Sequence, residues 1–316
     1  MYKNIYLNKS MATRGSYGCV IKPSIPCKKY YQNTVSKLFH NERFYEEENI
    51  ISDIIARIDP TNKFTLKKLD KCLVRKLPKK EMRECKYKSV EFPKSQIIYE
   101  YGGVDLTNLK EGSYNIKELL PAIYNLTIGL VELEKHRMCH RDIKHSNIVY
   151  KDGLFYFIDF GMSLSYDNVY DDDQDYVLKY NYCFYPPEFK VYYNYKFSQN
   201  SFTSINKIEQ FIEKDVKLNY VKSEIVFDTN MIDGMIKALL DNVGSIDILK
   251  LAMIKQANKI DVFSLGVVLM DLLLKADDKF IETKKKLLSV LERCIELNPY
   301  KRINPKGLND EIKKLL

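Results

Sequence analysis

The sequence predicts an α+β protein of two lobes. A small β-rich lobe spans residues 1–101, and a larger, mainly helical lobe spans 102–316 with a helical insertion at about 190–259. Three observations lead there. Residues 5–40 read as short strands. The apolar strand candidate Gln96-Ile97-Ile98-Tyr99-Glu100-Tyr101 stops at Gly102-Gly103, a glycine pair suited to a hinge. From Asn115 onward the apolar residues step by three and four, as one face of a helix requires.

The elements follow in order. Residues 42–58 predict a helix with Ile50, Ile51, Ile54 and Ile55 on its apolar side. Asn115 and Glu118 have the spacing of a capping box, and Leu119, Ile123, Leu126, Leu130 and Leu133 form the stripe behind it. Pro121 weakens that helix near its start. Residues 147–150 and 154–158 are strand-like and flank Asp152-Gly153, a hairpin-turn dipeptide. Such a hairpin returns Asn147 towards Asp159. Helices are expected over 205–218, 230–241 and 247–258, then from Asp261, and over 283–296 and 305–316.

Composition bounds the class. The chain has 316 residues, 45% hydrophobic and 29% charged, which describes a globular protein. The richest apolar stretch, Val262–Leu274, is too short to span a membrane and contains Asp271, so it predicts a buried core helix. The first residues have no apolar signal core. Seven cysteines without a C-x-x-C pair argue against a disulfide framework or a zinc site and for reduced thiols; an intracellular, cytoplasmic location is expected. Net charge is +8, and residues 67–88 hold ten basic and three acidic side chains. Without aromatic interleaving, this run predicts a solvated loop and makes no strong case for nucleic acid.

The chemistry concentrates in His140-Arg141-Asp142-Ile143-Lys144-His145-Ser146-Asn147 and in Asp159-Phe160-Gly161. The pattern offers one Asp to orient a hydroxyl, a Lys for phosphate charge, and two hard oxygen ligands for a divalent cation. Upstream lie Thr13-Arg14-Gly15-Ser16-Tyr17-Gly18-Cys19-Val20 and Thr34-Val35-Ser36-Lys37-Leu38. Downstream lie Tyr185-Pro186-Pro187-Glu188, Asp261-Val262-Phe263-Ser264-Leu265-Gly266, and Arg302. In this order the motifs resemble the eukaryotic-type Ser/Thr protein kinase family over about residues 13–190 and 259–304. The Lys-, Asn-, Ile- and Tyr-rich composition without Trp is also similar to that of kinases ascribed to large DNA viruses, which would place the protein in a host cell or virion.

The resemblance implies ATP and Mg²⁺ as cofactors and protein substrates as partners. Gly15, Ser16, Gly18 and Val20 would cover the nucleotide phosphates, with Thr13 in place of the first glycine. Lys37 would reach the α- and β-phosphates, held by Glu47, with Glu46 and Glu48 as rivals. Glu100 and Tyr101 would bind adenine through the backbone behind Tyr99 as gatekeeper. Asp142 would orient the substrate hydroxyl, Lys144 would neutralise the moving phosphoryl group, and Asn147 and Asp159 would hold the metal. His140 and Phe160 would pack, and His145 would lie at the surface. Asp261 would hold the catalytic-loop backbone, and Arg302 would pair with Glu188.

Lys144 favours Ser/Thr over Tyr substrates. Asp171-Asp172-Asp173 and Asp175 lie where many kinases carry a regulatory phosphate, and would either replace it, with Arg141 as partner, or attract basic substrates. The 190–259 insertion would cap the larger lobe or dock a partner. Competing readings are a pseudokinase scaffold and, against the Glu188 and Arg302 matches, a small-molecule kinase.

Overall fold

The computed structural model describes residues 11–14, 18–74, 85, 95–110, 114–169, 183–186, 188–189, 210, 254–276 and 278–316. The chain divides into two compact units, Met1–Gly103 and Val104–Leu316.

Among its described residues, the first unit is an antiparallel sheet with one helix. Strands β1 (Met11–Arg14), β2 (Gly18–Lys22), β3 (Thr34–Phe39), β4 (Lys68–Leu73) and β5 (Ser95–Glu100) pair in the order β1-β2-β3-β5-β4. β4 corrects the expectation of a loop throughout the basic run; residues 75–84 lie outside the described residues. Gly18 is dictated by packing, because a Cβ there would collide with the Leu38 carbonyl oxygen of β3. Helix α1 (Glu42–Ile58) has the expected bounds and is capped by Asn41, whose side chain accepts from the Arg43 N–H. Its expected apolar side holds at Ile55 and fails at Ile50. Glu48, Ile55 and Ile58 are buried, whereas Ile50 is 58% exposed. The inward face carries Glu48 and Ser52, polar positions that a count of apolar residues passes over.

The cysteines require a second correction. Cys19 pairs with Cys85 and Cys27 with Cys72, each with Cα atoms 5.8 Å apart. Linear spacing is silent on such pairs, which the tertiary fold brings together. Cys72 lies opposite Gln96 in the β4–β5 register, and the Gln96 amide donates to the Ile25 carbonyl beside Cys27. The argument from free thiols to a reducing compartment loses its basis. Alkylation of denatured, unreduced protein should modify the three remaining thiols, Cys139, Cys183 and Cys294, and all seven only after reduction. Mass spectrometry reads the difference; seven labels without reduction would reject the pairing.

The second unit is mainly helical. Helix α2 (Ile116–Lys135) begins with the full Asn115–Glu118 capping box. Leu119, Ile123, Leu126, Leu130 and Leu133 are all buried. Each withdraws roughly 1.5–3 kcal/mol of apolar surface from water, which outweighs the ~3 kcal/mol cost of the exposed Pro121 in the helix interior. Strands β6 (Val104–Asp105), β8 (Ile148–Lys151) and β9 (Leu154–Phe157) form one small sheet. β7 (Met138–Cys139) and β10 (Leu164–Ser165) form another. The β8–β9 turn is the expected Asp152-Gly153, with φ of 51° and 83°, both in the left-handed region that a tight hairpin requires.

Helix α3 (Ile260–Leu274) is buried nearly all round, and α4 (Ile281–Cys294) and α5 (Pro305–Lys313) pack after it. Asn309 of α5 ties back to Thr127 of α2 at 2.9 Å. Of the insertion helices expected before Asp261, the described residues are 210, which is helical, and 254–258, which end in turns and the 3₁₀ turn Ala257–Lys259; the rest, and Asp171–Asp173 with Asp175, lie outside the described residues. Among the described residues, no helix is long and apolar enough to cross a membrane.

Candidate active site

In the first unit, Lys37 on β3 is nearly buried, and its ammonium bonds Glu48 of α1, whose side chain is 6% exposed. Glu47, the expected partner, points away: its carboxylate takes the exposed Arg43 guanidinium at 2.7 Å. Successive helical residues are rotated by about 100°, so only one of three adjacent glutamates can face the sheet. Helix phase selects Glu48 because Ser52 and Ile55, one and two turns on, share its face. Val20 on β2 and Ile97 on β5 lie directly across from Lys37.

The Tyr99 hydroxyl also reaches this cluster, at 2.7 Å from Ser52 Oγ and 3.3 Å from Glu48 Oε1. Glu100 and Tyr101 spend their N–H groups inside the unit, donating to the Lys67 and Asn33 carbonyls at 2.9 and 3.0 Å. With these N–H groups engaged inside the unit, the expected backbone contact with adenine at Glu100 and Tyr101 would have to use their carbonyl oxygens. Gly15 and Ser16 lie outside the described residues.

In the second unit, residues 140–147 are held from below by α3. The Asp261 carboxylate accepts from the His140 and Arg141 N–H groups at 2.6 and 2.9 Å. Burial pushes its pKa up, and the two N–H groups with the His140 and Arg141 side chains oppose that shift. These bonds offset a strained backbone, since Arg141 has φ 64°, a conformation costing about 1–3 kcal/mol outside glycine. His140 accepts the Asp142 N–H on Nδ1 and therefore donates from Nε2 to the Ile158 carbonyl. Its ring stacks at 4.4 Å on Phe160, so both residues pack as expected.

Asp142 is the convergence point. Lys144 Nζ lies 2.9 and 2.8 Å from its two carboxylate oxygens. Asn147 Nδ2 donates to the Asp142 carbonyl at 2.9 Å and to Oδ2 at 2.7 Å. With its amide nitrogen committed there, the atom of Asn147 that could serve a metal is Oδ1. The Ile158 N–H donates to the Asn147 carbonyl at 3.0 Å, which sets Asp159 next to the loop. Asp159 has φ 62° and opens the 3₁₀ turn Phe160–Met162.

Two oxygen-bearing side chains are enough for a hard cation that completes its shell with water and phosphate oxygens. Among the described residues no cluster of three or more His, Cys, Asp or Glu forms a complete protein cage.

His145 corrects another expectation. It is half-buried, with Nε2 2.9 Å from Asp271 Oδ2, and its ring edge meets Phe184 at 5.7 Å. His145 and Lys275 hold the Asp271 carboxyl down at about 2. No sequence motif signals this contact.

Arg302 and Glu188 meet as expected in a bidentate pair at 2.6 and 3.0 Å. Ser264 of α3 holds the same segment through the Phe184 carbonyl at 2.7 Å.

A search of curated proteins finds no match for the chain. Residues 64–202 match the family model described as protein tyrosine and serine/threonine kinase, a stretch that includes the 140–147 loop and Asp159 and leaves Lys37, Glu48, Asp261 and Arg302 outside it. With an antiparallel sheet in the first unit and helices dominating the second, the fold is that of a protein kinase.

Proposed function

We propose that the chain is an active, ATP-dependent Ser/Thr protein kinase. The observation that carries this reading is the convergence of Lys144 and Asn147 on the buried Asp142 carboxylate. A substrate hydroxyl oxygen attacks the γ-phosphorus while the bond to the β–γ bridging oxygen breaks and ADP departs. The hydroxyl proton passes to Asp142, within whose reach it must lie. Lys144 offsets charge on the moving phosphoryl group, and Lys37, fixed by Glu48, engages the α- and β-phosphates. Asn147 and Asp159 would hold Mg²⁺, which supplies charge neutralisation on the phosphates. With the Glu100 and Tyr101 N–H groups spent, Gly102 or Gly103 would donate to adenine.

Ser/Thr preference rests on Lys144 within the loop. The chain keeps Lys37, Asp142, Asn147 and Asp159, which supports catalysis over a pseudokinase scaffold; the Glu188–Arg302 pair supports protein over small-molecule substrates.

The test is purified full-length protein with labelled ATP, Mg²⁺ and mixed basic Ser, Thr and Tyr peptides. Transfer to Ser or Thr peptides, abolished by EDTA, is the expected result. Nucleotide binding without transfer would establish the scaffold, and transfer to Tyr alone would overturn the specificity.

A further inference from the structure

We propose that Tyr99 is a positioning residue whose hydroxyl latches Glu48, and through it Lys37, for nucleotide binding. The inference rests on the kinase reading and deepens it. Glu48 and Ser52 stand one turn apart on the inner face of α1, and the Tyr99 hydroxyl on β5 lies against both. Chemistry sets the donor directions. As the anionic partner of Lys37, the Glu48 carboxylate only accepts. The single Tyr99 proton therefore goes to Glu48, and Ser52 must donate to the Tyr99 oxygen.

A directional chain results: Ser52 to Tyr99, Tyr99 to Glu48 Oε1, and Lys37 to Glu48 Oε2. The Tyr99–Glu48 contact of 3.3 Å is longer than the ~2.5–3.0 Å of a strong O–H···O bond. Donation from Ser52 polarises the phenol and strengthens it. One carboxylate oxygen thus serves Lys37 while the other is held from β5.

Two further ties fix the same helix. Ser95 of β5 donates to Glu42 at 2.8 Å, and Lys68 of β4 bonds Asn49 Oδ1 and Asp53 Oδ1, each at 2.7 Å. These ties hold the helix independently of Tyr99; what Tyr99 adds is a second hold on the Glu48 carboxylate, at Oε1.

The test compares Tyr99→Phe in wild-type and Glu48→Gln backgrounds. It measures affinity for a fluorescent ATP analogue, steady-state kinetics and thermal midpoint. Loss of one hydrogen bond to a charged acceptor should weaken nucleotide affinity and raise KM for ATP about tenfold, with kcat within about twofold and an unchanged midpoint. In Glu48→Gln, Tyr99→Phe should add less than a twofold effect, because the acceptor it orients has lost its charge. Equal losses in both backgrounds, or none in wild type, would overturn the latch. Wild-type protein that binds no ATP analogue would instead reject the kinase reading. The latch would still be read by hydrogen exchange, which should rise around residue 48 in Tyr99→Phe; unchanged exchange would overturn it.

Discussion

Asp142→Ala is expected to lower phosphoryl transfer by about 10²–10⁴-fold while leaving ATP affinity unchanged, because Asp142 acts on the acceptor hydroxyl and not on the nucleotide. The loss should fall on kcat, the signature of an interaction realised in the transition state. Stability should move little. Removing the carboxylate strands the Lys144 ammonium, but that side chain is 31% exposed and can rehydrate. Asn147 keeps its bond to the Asp142 carbonyl, so the loop retains its backbone anchor. Asp142→Asn sharpens the test: it preserves size and one acceptor oxygen but supplies an amide where a proton acceptor is needed, and should be nearly as inactive. A rise in KM for ATP at constant kcat would show that Asp142 binds nucleotide and would reject its assigned role.

The parts of this site that were legible in sequence are those whose signals are local. The capping box of Asn115 and Glu118, the Asp152-Gly153 turn, and the spacing from Asp142 to Asn147 each lie within a few residues, and backbone geometry maps them directly into space. Asp261 and the Glu188–Arg302 pair span more than a hundred residues and were legible only through resemblance.

What the sequence left open depends on helix phase and strand register. Three consecutive glutamates differ only by rotation, and the isoleucines beside them do not choose among them: Ile55 shares the inner face with Glu48 and Ser52, whereas Ile50 is exposed. The Tyr99 latch and the bridge between Cys27 and Cys72 follow from the pairing of β3, β4 and β5, which no local pattern encodes. The His145–Asp271 contact arises because α3 runs past the loop it supports, placing its last turn beside a residue whose neighbours in sequence carry the chemistry.

Arg302→Ala is expected to destabilise the second unit by about 3–5 kcal/mol, since it leaves the Glu188 carboxylate buried without its counter-charge. The Arg302 side chain is fully buried, and all five of its N–H donors have acceptors. Nη1 and Nη2 bind Glu188, Nε donates to the Glu296 carbonyl at 2.8 Å, and the remaining two reach the Lys259 and Leu297 carbonyls at 3.3 and 3.4 Å. The Phe263 ring lies 4.9 Å from the guanidinium carbon. Lysine cannot replace this fork, because three donors on one nitrogen do not match five separated acceptors. Arg302→Lys should therefore recover less than half of the loss.

Glu188→Gln should cost a similar amount by leaving the guanidinium charge unpaired. The double variant Glu188→Gln/Arg302→Met should be less destabilised than the sum of the single changes, because neither buried charge remains. At roughly 2–4 °C per kcal/mol, the single variants should melt about 10 °C lower, read by calorimetry. Catalysis should fall with them. The pair anchors the segment that Ser264 also holds, and α3 carries both Ser264 and the Asp261 carboxylate that supports the catalytic loop. A midpoint shift below about 2 °C in Arg302→Ala would show that solvent reaches the Glu188 carboxylate once the guanidinium is gone, and the pair would lose its claim to hold that segment.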